Sequence, residues 1–108
     1  VSRLQAIRDI IKKARAGGYK DIELEVDNLR EFREALGLDS GIIMLDNMKI
    51  GDIRKAVRLR DAKDKKSGTR ILLEVSGGVG LKNVAMIAKT GVDRVSIGSL
   101  THSAPAID

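Results

Sequence analysis

Ile22-Glu23-Leu24-Glu25-Val26-Asp27 alternates apolar and acidic residues without a break, so an extended chain sends Ile22, Leu24 and Val26 to one face and Glu23, Glu25 and Asp27 to the other. Three further apolar runs share its habit of ending on polar or glycine residues. Ile42–Leu45 leads into Asp46 and Asn47, Ile71–Val75 into Ser76-Gly77-Gly78, and Val95–Ile97 into Gly98-Ser99. Parallel strands of α/β folds are buried along their length and collect ligands at their carboxyl ends, so this distribution predicts strands with a site at one end.

Helical stripes separate the runs. Val1, Leu4, Ile7, Ile10, Ile11 and Ala14 share one face before Gly17-Gly18; Leu29, Phe32, Ala35 and Leu36 follow a cap at Asp27 or Asn28 and end at Gly37. Ile50, Ile53, Ala56 and Val57 form a third stripe, and Leu81, Val84, Ile87 and Ala88 a fourth, closed by Gly91. Lys63–Gly68 reads as a polar loop. The order α-β-α-β-α-β-α-β calls for parallel strands with crossover connections, and no linker or second domain breaks it.

Parity then chooses between two architectures. Leu72, Glu74 and Ser76 share a face of the third strand, Met44 and Asp46 a face of the second, and Ser96 and Gly98 a face of the fourth. An open sheet with helices on both sides would press the carboxylates under an apolar layer, at several kcal/mol per unpaired charge, whereas a barrel interior accommodates them. The reading is therefore α/β, with parallel βα units forming about half of a barrel and residues 1–108 one partial-barrel domain.

Composition narrows the function. A chain of 108 residues supports one modest core or is part of something larger, and its start at Val1 is expected of a piece of a longer protein. Without cysteine there is no disulfide framework and no thiolate metal site. No stretch approaches the roughly 18 apolar residues of a membrane span, so no membrane partner is expected. The net charge of +5 is scattered over helices and one loop, and a single Phe and a single Tyr offer no platform for stacking bases, so no nucleic-acid partner is expected either.

The two glycine-bearing strand ends carry the sharpest chemistry. Ser76-Gly77-Gly78 and Gly98-Ser99 match the pair of βα loops that hold a phosphate on backbone N–H groups, where glycine is needed because the anion tolerates no Cβ; ordinary turn glycine is the alternative. Gly77-Gly78-Val79-Gly80 does not complete a dinucleotide fingerprint. Glu25 and Asp46, at neighbouring strand ends, suit a shared divalent cation or sugar hydroxyls, with helix capping as the competing role. Capping is the favoured role for Asp27 and Asn47. His102, the only histidine, lies just beyond Gly98-Ser99, within reach of a phosphate.

Ile22–Asp27, Ile43-Met44-Leu45-Asp46-Asn47-Met48, Leu73-Glu74-Val75-Ser76-Gly77-Gly78 and Gly91–Asp108, with its Leu100-Thr101-His102-Ser103-Ala104-Pro105 run, closely resemble the C-terminal part of quinolinate phosphoribosyltransferase, also called carboxylating nicotinate-nucleotide pyrophosphorylase. The resemblance implies a seven-stranded open α/β barrel in a cytoplasmic homodimer or assembly of dimers. It implies Mg²⁺-dependent transfer of a phosphoribosyl group from phosphoribosyl pyrophosphate to quinolinate, with loss of CO₂, giving nicotinate mononucleotide for NAD synthesis, and no organic cofactor. By motif position Glu25 and Asp46 would be catalytic, contacting ribose hydroxyls and metal. Ser76, Gly77, Gly78, Gly98, Ser99 and His102 would hold phosphate.

The cationic residues with which that family grips quinolinate lie in preceding strands and in the partner subunit. This chain alone is accordingly expected to be inactive and to self-associate, or to belong to a longer enzyme. A non-catalytic half-barrel that binds phosphate, or another phosphate-handling β/α-barrel enzyme, remains as the alternative.

Overall fold

A computed structural model describes residues 2–97. The elements alternate throughout: α1 (Arg3–Ala16), β1 (Glu23–Val26), α2 (Leu29–Leu36), β2 (Ile42–Asp46), α3 (Ile50–Ser67), β3 (Leu72–Ser76), α4 (Val84–Ala88) and β4 (Arg94–Val95). The strands form one parallel sheet in the sequential order β1-β2-β3-β4.

Register decides which side chains share a face. Glu25 pairs with Met44, Met44 with Glu74, and Asp46 with Ser76, so the acidic parity of β1 continues across the sheet. On the opposite face Val26, Ile43, Leu45, Leu73 and Val75 are buried with Phe32, Ala35 and Leu36 of α2, Ile53, Ala56 and Val57 of α3, and Ile87 of α4. One face of the sheet thus meets the helices while the acidic face stays uncovered, with Glu23 and Glu25 exposed and Met44, Asp46, Glu74 and Ser76 half-buried. A sheet dressed on one side and polar on the other is a barrel wall rather than a doubly wound layer.

Caps place the helices. Asn28, not Asp27, caps α2: its Oδ1 accepts from the Glu31 N–H at 2.9 Å, while Glu31 Oε1 accepts from the Asp27 N–H at 2.8 Å. Asn28 is thus the side-chain cap, and Glu31 reaches back past it to the preceding residue. Two local expectations are corrected. Lys63–Gly68 is not a loop, because α3 runs on to Ser67 and stops at Gly68 in the left-handed region (φ 73°); the Lys and Asp residues here are adequate helix formers with no breaker among them. The fourth helix begins at Val84 rather than Leu81, and Leu81 is 95% exposed, outside the core.

The fourth strand is Arg94–Val95 rather than Val95–Ile97. Among the described residues of the apolar stripe on α1 only Ile11 is buried, and Ile10 is 65% exposed. No helix of the described residues is long and apolar enough to cross a membrane.

A buried charge cluster ties the N-terminal end of the sheet together. Arg60, 1% exposed, donates to the carbonyls of Ile71 (2.8 Å) and Gly91 (3.0 Å) and to Asp93 Oδ2 (2.6 Å). Asp93 also accepts from the Leu73 N–H at 2.8 Å and pairs with Arg70 at 2.5 Å. Burial works against both charges, yet the bonds to Asp61 (2.7 Å from Arg60 Nε) and to Asp93 hold the Arg60 guanidinium above its ordinary value, and those from the Leu73 N–H, Arg60 and Arg70 hold the Asp93 carboxyl below its own. Sequence reading passed over Arg60. The signal was present, since it stands at i+7 from Ile53, on the stripe of Ala56 and Val57, where an apolar residue is expected.

Candidate functional site

At the carboxyl ends of β1 and β2, Glu25, Asp27 and Asp46 each offer a carboxylate oxygen, and the three oxygens lie within 4.8 Å of one another. Parity brings them together: Asp27 continues the face of Glu25, and Asp46 stands on the neighbouring strand. The capping expected of Asp27 is not its role; Asn28 takes that position and releases Asp27 to the cluster.

Packing like charges has an electrostatic consequence. The Asp46 carboxylate, through a hydrogen bond and its charge, raises the Glu25 pKa above the usual carboxylate value, with Asp27 and Glu23 adding to the effect. Glu23 is raised too, by partial burial and by the charge of Glu74, which Arg94 partly offsets. Such a site gains from a cation or from hydroxyl donors. Three close carboxylate oxygens are the donor type that a hard divalent cation prefers, so Mg²⁺ fits this set.

The glycine turn after β3 lies directly against these carboxylates. Gly77 and Gly78 both have positive φ (78° and 68°), and a Cβ on Gly77 would stand 2.8 Å from Asp46 Oδ1 and 3.1 Å from the Asn47 nitrogen. Glycine is required there twice, by backbone angle and by space. The Asn47 N–H donates to the Ser76 carbonyl at 2.8 Å, fastening the end of β2 to the turn. Asn83 closes the far side: its Oδ1 accepts from the Gly80 N–H at 2.9 Å and its Nδ2 donates to the Gly78 carbonyl at 2.8 Å.

Asn83 escaped the sequence reading, because it lies inside the stretch read as the fourth helix, which starts only at Val84. Asn47 is also not the cap expected of it. Lys49 precedes α3, and Asn47 sits with φ 52°, in the left-handed region.

The structure therefore brings together Glu25, Asp46, Ser76, Gly77 and Gly78 at one end of the sheet and adds Asp27 to them. Gly98, Ser99 and His102 lie outside the described residues.

Comparison with known proteins follows the same line. The whole chain, residues 1–108, matches the family described as "Quinolinate phosphoribosyl transferase, C-terminal domain". A protein of Methanocaldococcus jannaschii named probable nicotinate-nucleotide pyrophosphorylase [carboxylating] is 40% identical over 104 residues, covering 94% of this chain and 37% of its own length. The nicotinate-nucleotide pyrophosphorylase [carboxylating] of Mycobacterium leprae is 35% identical over 109 residues, covering 100% of this chain and 37% of its own length.

Among solved structures, the nicotinate-nucleotide pyrophosphorylase of Ehrlichia chaffeensis superposes with a TM-score of 0.75 at 39% identity, over 94% of this chain and 34% of that one. The chain thus spans little more than a third of the length of these relatives. With fold and sequence in agreement, the chain belongs to the quinolinate phosphoribosyl transferase family, matching its C-terminal domain.

Proposed function

We propose that this chain forms the ribose- and phosphate-holding side of an active site in a longer enzyme, one that transfers a phosphoribosyl group from phosphoribosyl pyrophosphate to quinolinate with loss of CO₂. The product is nicotinate mononucleotide, a precursor for NAD synthesis. In that reaction the bond between ribose C1 and pyrophosphate oxygen breaks, the pyridine nitrogen bonds to C1, and positive charge develops on the ribose.

Glu25 and Asp46 lie where they would accept ribose hydroxyls and stabilise that charge, with Asp27 completing the acidic rim. Glu25, Asp27 and Asp46 would also hold Mg²⁺, directly or through water; when bound, the ion would neutralise charge on the pyrophosphate leaving group. Ser76, Gly77 and Gly78 present the phosphate turn, and Gly98, Ser99 and His102 are assigned to phosphate binding as well. The residues that grip the two quinolinate carboxylates belong to preceding parts of the longer protein and to a partner subunit, in a cytoplasmic homodimer or assembly of dimers. Residues 1–108 make one partial-barrel domain of it.

One observation carries this reading: the turn at Gly77 is pressed closely against Asp46, a Cβ there standing 2.8 Å from Asp46 Oδ1, which supports a phosphate and a ribose held side by side. The test is a titration of the folded chain with ribose 5-phosphate, followed by amide NMR shifts with and without Mg²⁺. Shifts centred on Gly77 and Gly78 are expected; their absence in a folded sample would refute the assignment. In the longer enzyme, Glu25→Ala and Asp46→Ala should each remove most nicotinate mononucleotide formation.

A further inference from the structure

Asn47 occupies a position that glycine would fill without strain. Its φ of 52° lies in the left-handed region, where a side chain is ordinarily a liability and where asparagine is among the few residues tolerated. A residue held there at an active-site rim invites the question of what the side chain does. It is not a helix cap, since α3 starts after Lys49 without any side-chain cap. It is exposed, and its carboxamide makes no hydrogen bond to another described residue.

Its direction is informative. A Cβ on Gly78 would stand 3.4 Å from Asn47 Oδ1, so the carboxamide projects over the phosphate turn rather than away from it. The two ends of a carboxamide exchange by a half-turn about the last side-chain bond, which places the NH₂ where the oxygen stands. The two neighbouring side chains divide the turn, Asp46 Oδ1 lying against Gly77 and the Asn47 carboxamide against Gly78. An anion entering here faces Glu25, Asp27 and Asp46, all repulsive, and needs neutral or cationic donors beyond the backbone N–H groups.

Building on the phosphate reading above, we propose that Asn47 is a further ligand-binding residue: its Nδ2 donates a hydrogen bond to a phosphoryl oxygen held on the Ser76-Gly77-Gly78 turn. The backbone of Asn47 fastens Ser76, and its side chain completes the donor set at the seam between phosphate and ribose.

Asn47→Gly separates these two roles, because glycine keeps the left-handed backbone while deleting the carboxamide. The chain and its variants are titrated with inorganic phosphate and with ribose 5-phosphate, read by amide shifts of Gly77 and Gly78, and melted in parallel. Asn47→Gly should weaken phosphate binding by about tenfold, the size expected for one hydrogen bond to a charged group, with an unchanged or raised Tm. Asn47→Asp keeps shape and backbone preference but exchanges donor for acceptor, and should bind more weakly still.

Phosphate affinity in Asn47→Gly equal to that of the unaltered chain overturns the proposal, as does weakened binding accompanied by a matching fall in Tm, which would make the side chain a structural prop. Gly77→Ala distinguishes the two levels. If it weakens binding while Asn47→Gly does not, the phosphate turn stands and the role of Asn47 falls; if the unaltered chain, folded, binds neither probe, both fall together.

Discussion

Gly77 and Asp46 are locked by shape: the glycine's missing Cβ would lie 2.8 Å from Asp46 Oδ1, at a φ of 78° that L side chains rarely adopt. Gly77→Ala must therefore distort the turn or displace the carboxylate. It should destabilise the fold by about 1–3 kcal/mol, measured by urea unfolding, and abolish the ribose 5-phosphate shifts. Gly80→Ala, where a Cβ would meet nothing within 4 Å, is the matched control and should leave both unchanged.

Divalent cation binding follows from the acidic trio. Because Glu25, Asp27 and Asp46 repel one another in the folded chain and are separated in the unfolded one, Mg²⁺ or Mn²⁺ should raise Tm. At ten times its Kd the ion should add about 1.4 kcal/mol of stability, and Asp46→Asn should remove most of the effect. Calorimetry of the two proteins with and without the ion checks it.

Two carboxyls give pH dependences of opposite sign. Glu25 has a folded pKa above its ordinary 4.5, so the native state binds the proton more tightly. Stability then falls as pH rises through the interval from 4.5 to that raised value, and the penalty persists above it. Glu25→Gln should raise Tm at pH 7 and lose this advantage as pH falls toward 4.

Asp93 behaves in the contrary sense. Its folded pKa lies below its ordinary 3.8, through hydrogen bonds from the Leu73 N–H and from Arg60 and Arg70 that outweigh its burial. Its contribution is present above pH 3.8 and disappears as pH falls through the depressed folded value. Asp93→Asn should therefore lower Tm at pH 7 and differ less from the unaltered chain in strong acid.

Arg60→Met should destabilise by about 3 kcal/mol, near the lower end for removing one partner of a buried ion pair, because Asp93 retains Arg70 and the Leu73 N–H while the Ile71 and Gly91 carbonyls lose their donor. Arg60→Lys should recover only part of this, since an ammonium cannot reproduce the fork that reaches four acceptors. Faster hydrogen exchange at the Ser96 N–H, which donates to the Val75 carbonyl at 2.8 Å, would locate the loss in β4.

The sequence by itself determined the alternation of elements and the facing of the strands. Both are local properties: the period of apolar residues selects helix or strand, and a strand's two-residue period assigns Glu25 and Asp27 to one face whatever lies beyond. For the same reason Glu25, Asp46 and the glycine turn were legible as one strand-end site. What the sequence left open was set by neighbours distant along the chain.

Asp27 read as a cap until the Asn28 side chain, on the Glu31 N–H, took that place and left the Asp27 carboxylate to join Glu25 and Asp46. Asn47 also read as a cap, until register set it beside Ser76. Arg60 drew no reading of its own from the sequence, yet it is buried because the Ile71 and Gly91 carbonyls and the Asp93 carboxylate converge on it from 11, 31 and 33 residues away. Only the tertiary structure decided these roles, because a polar side chain's function depends on which partners reach it, and partners so far apart in sequence meet only when the sheet and its crossovers have formed.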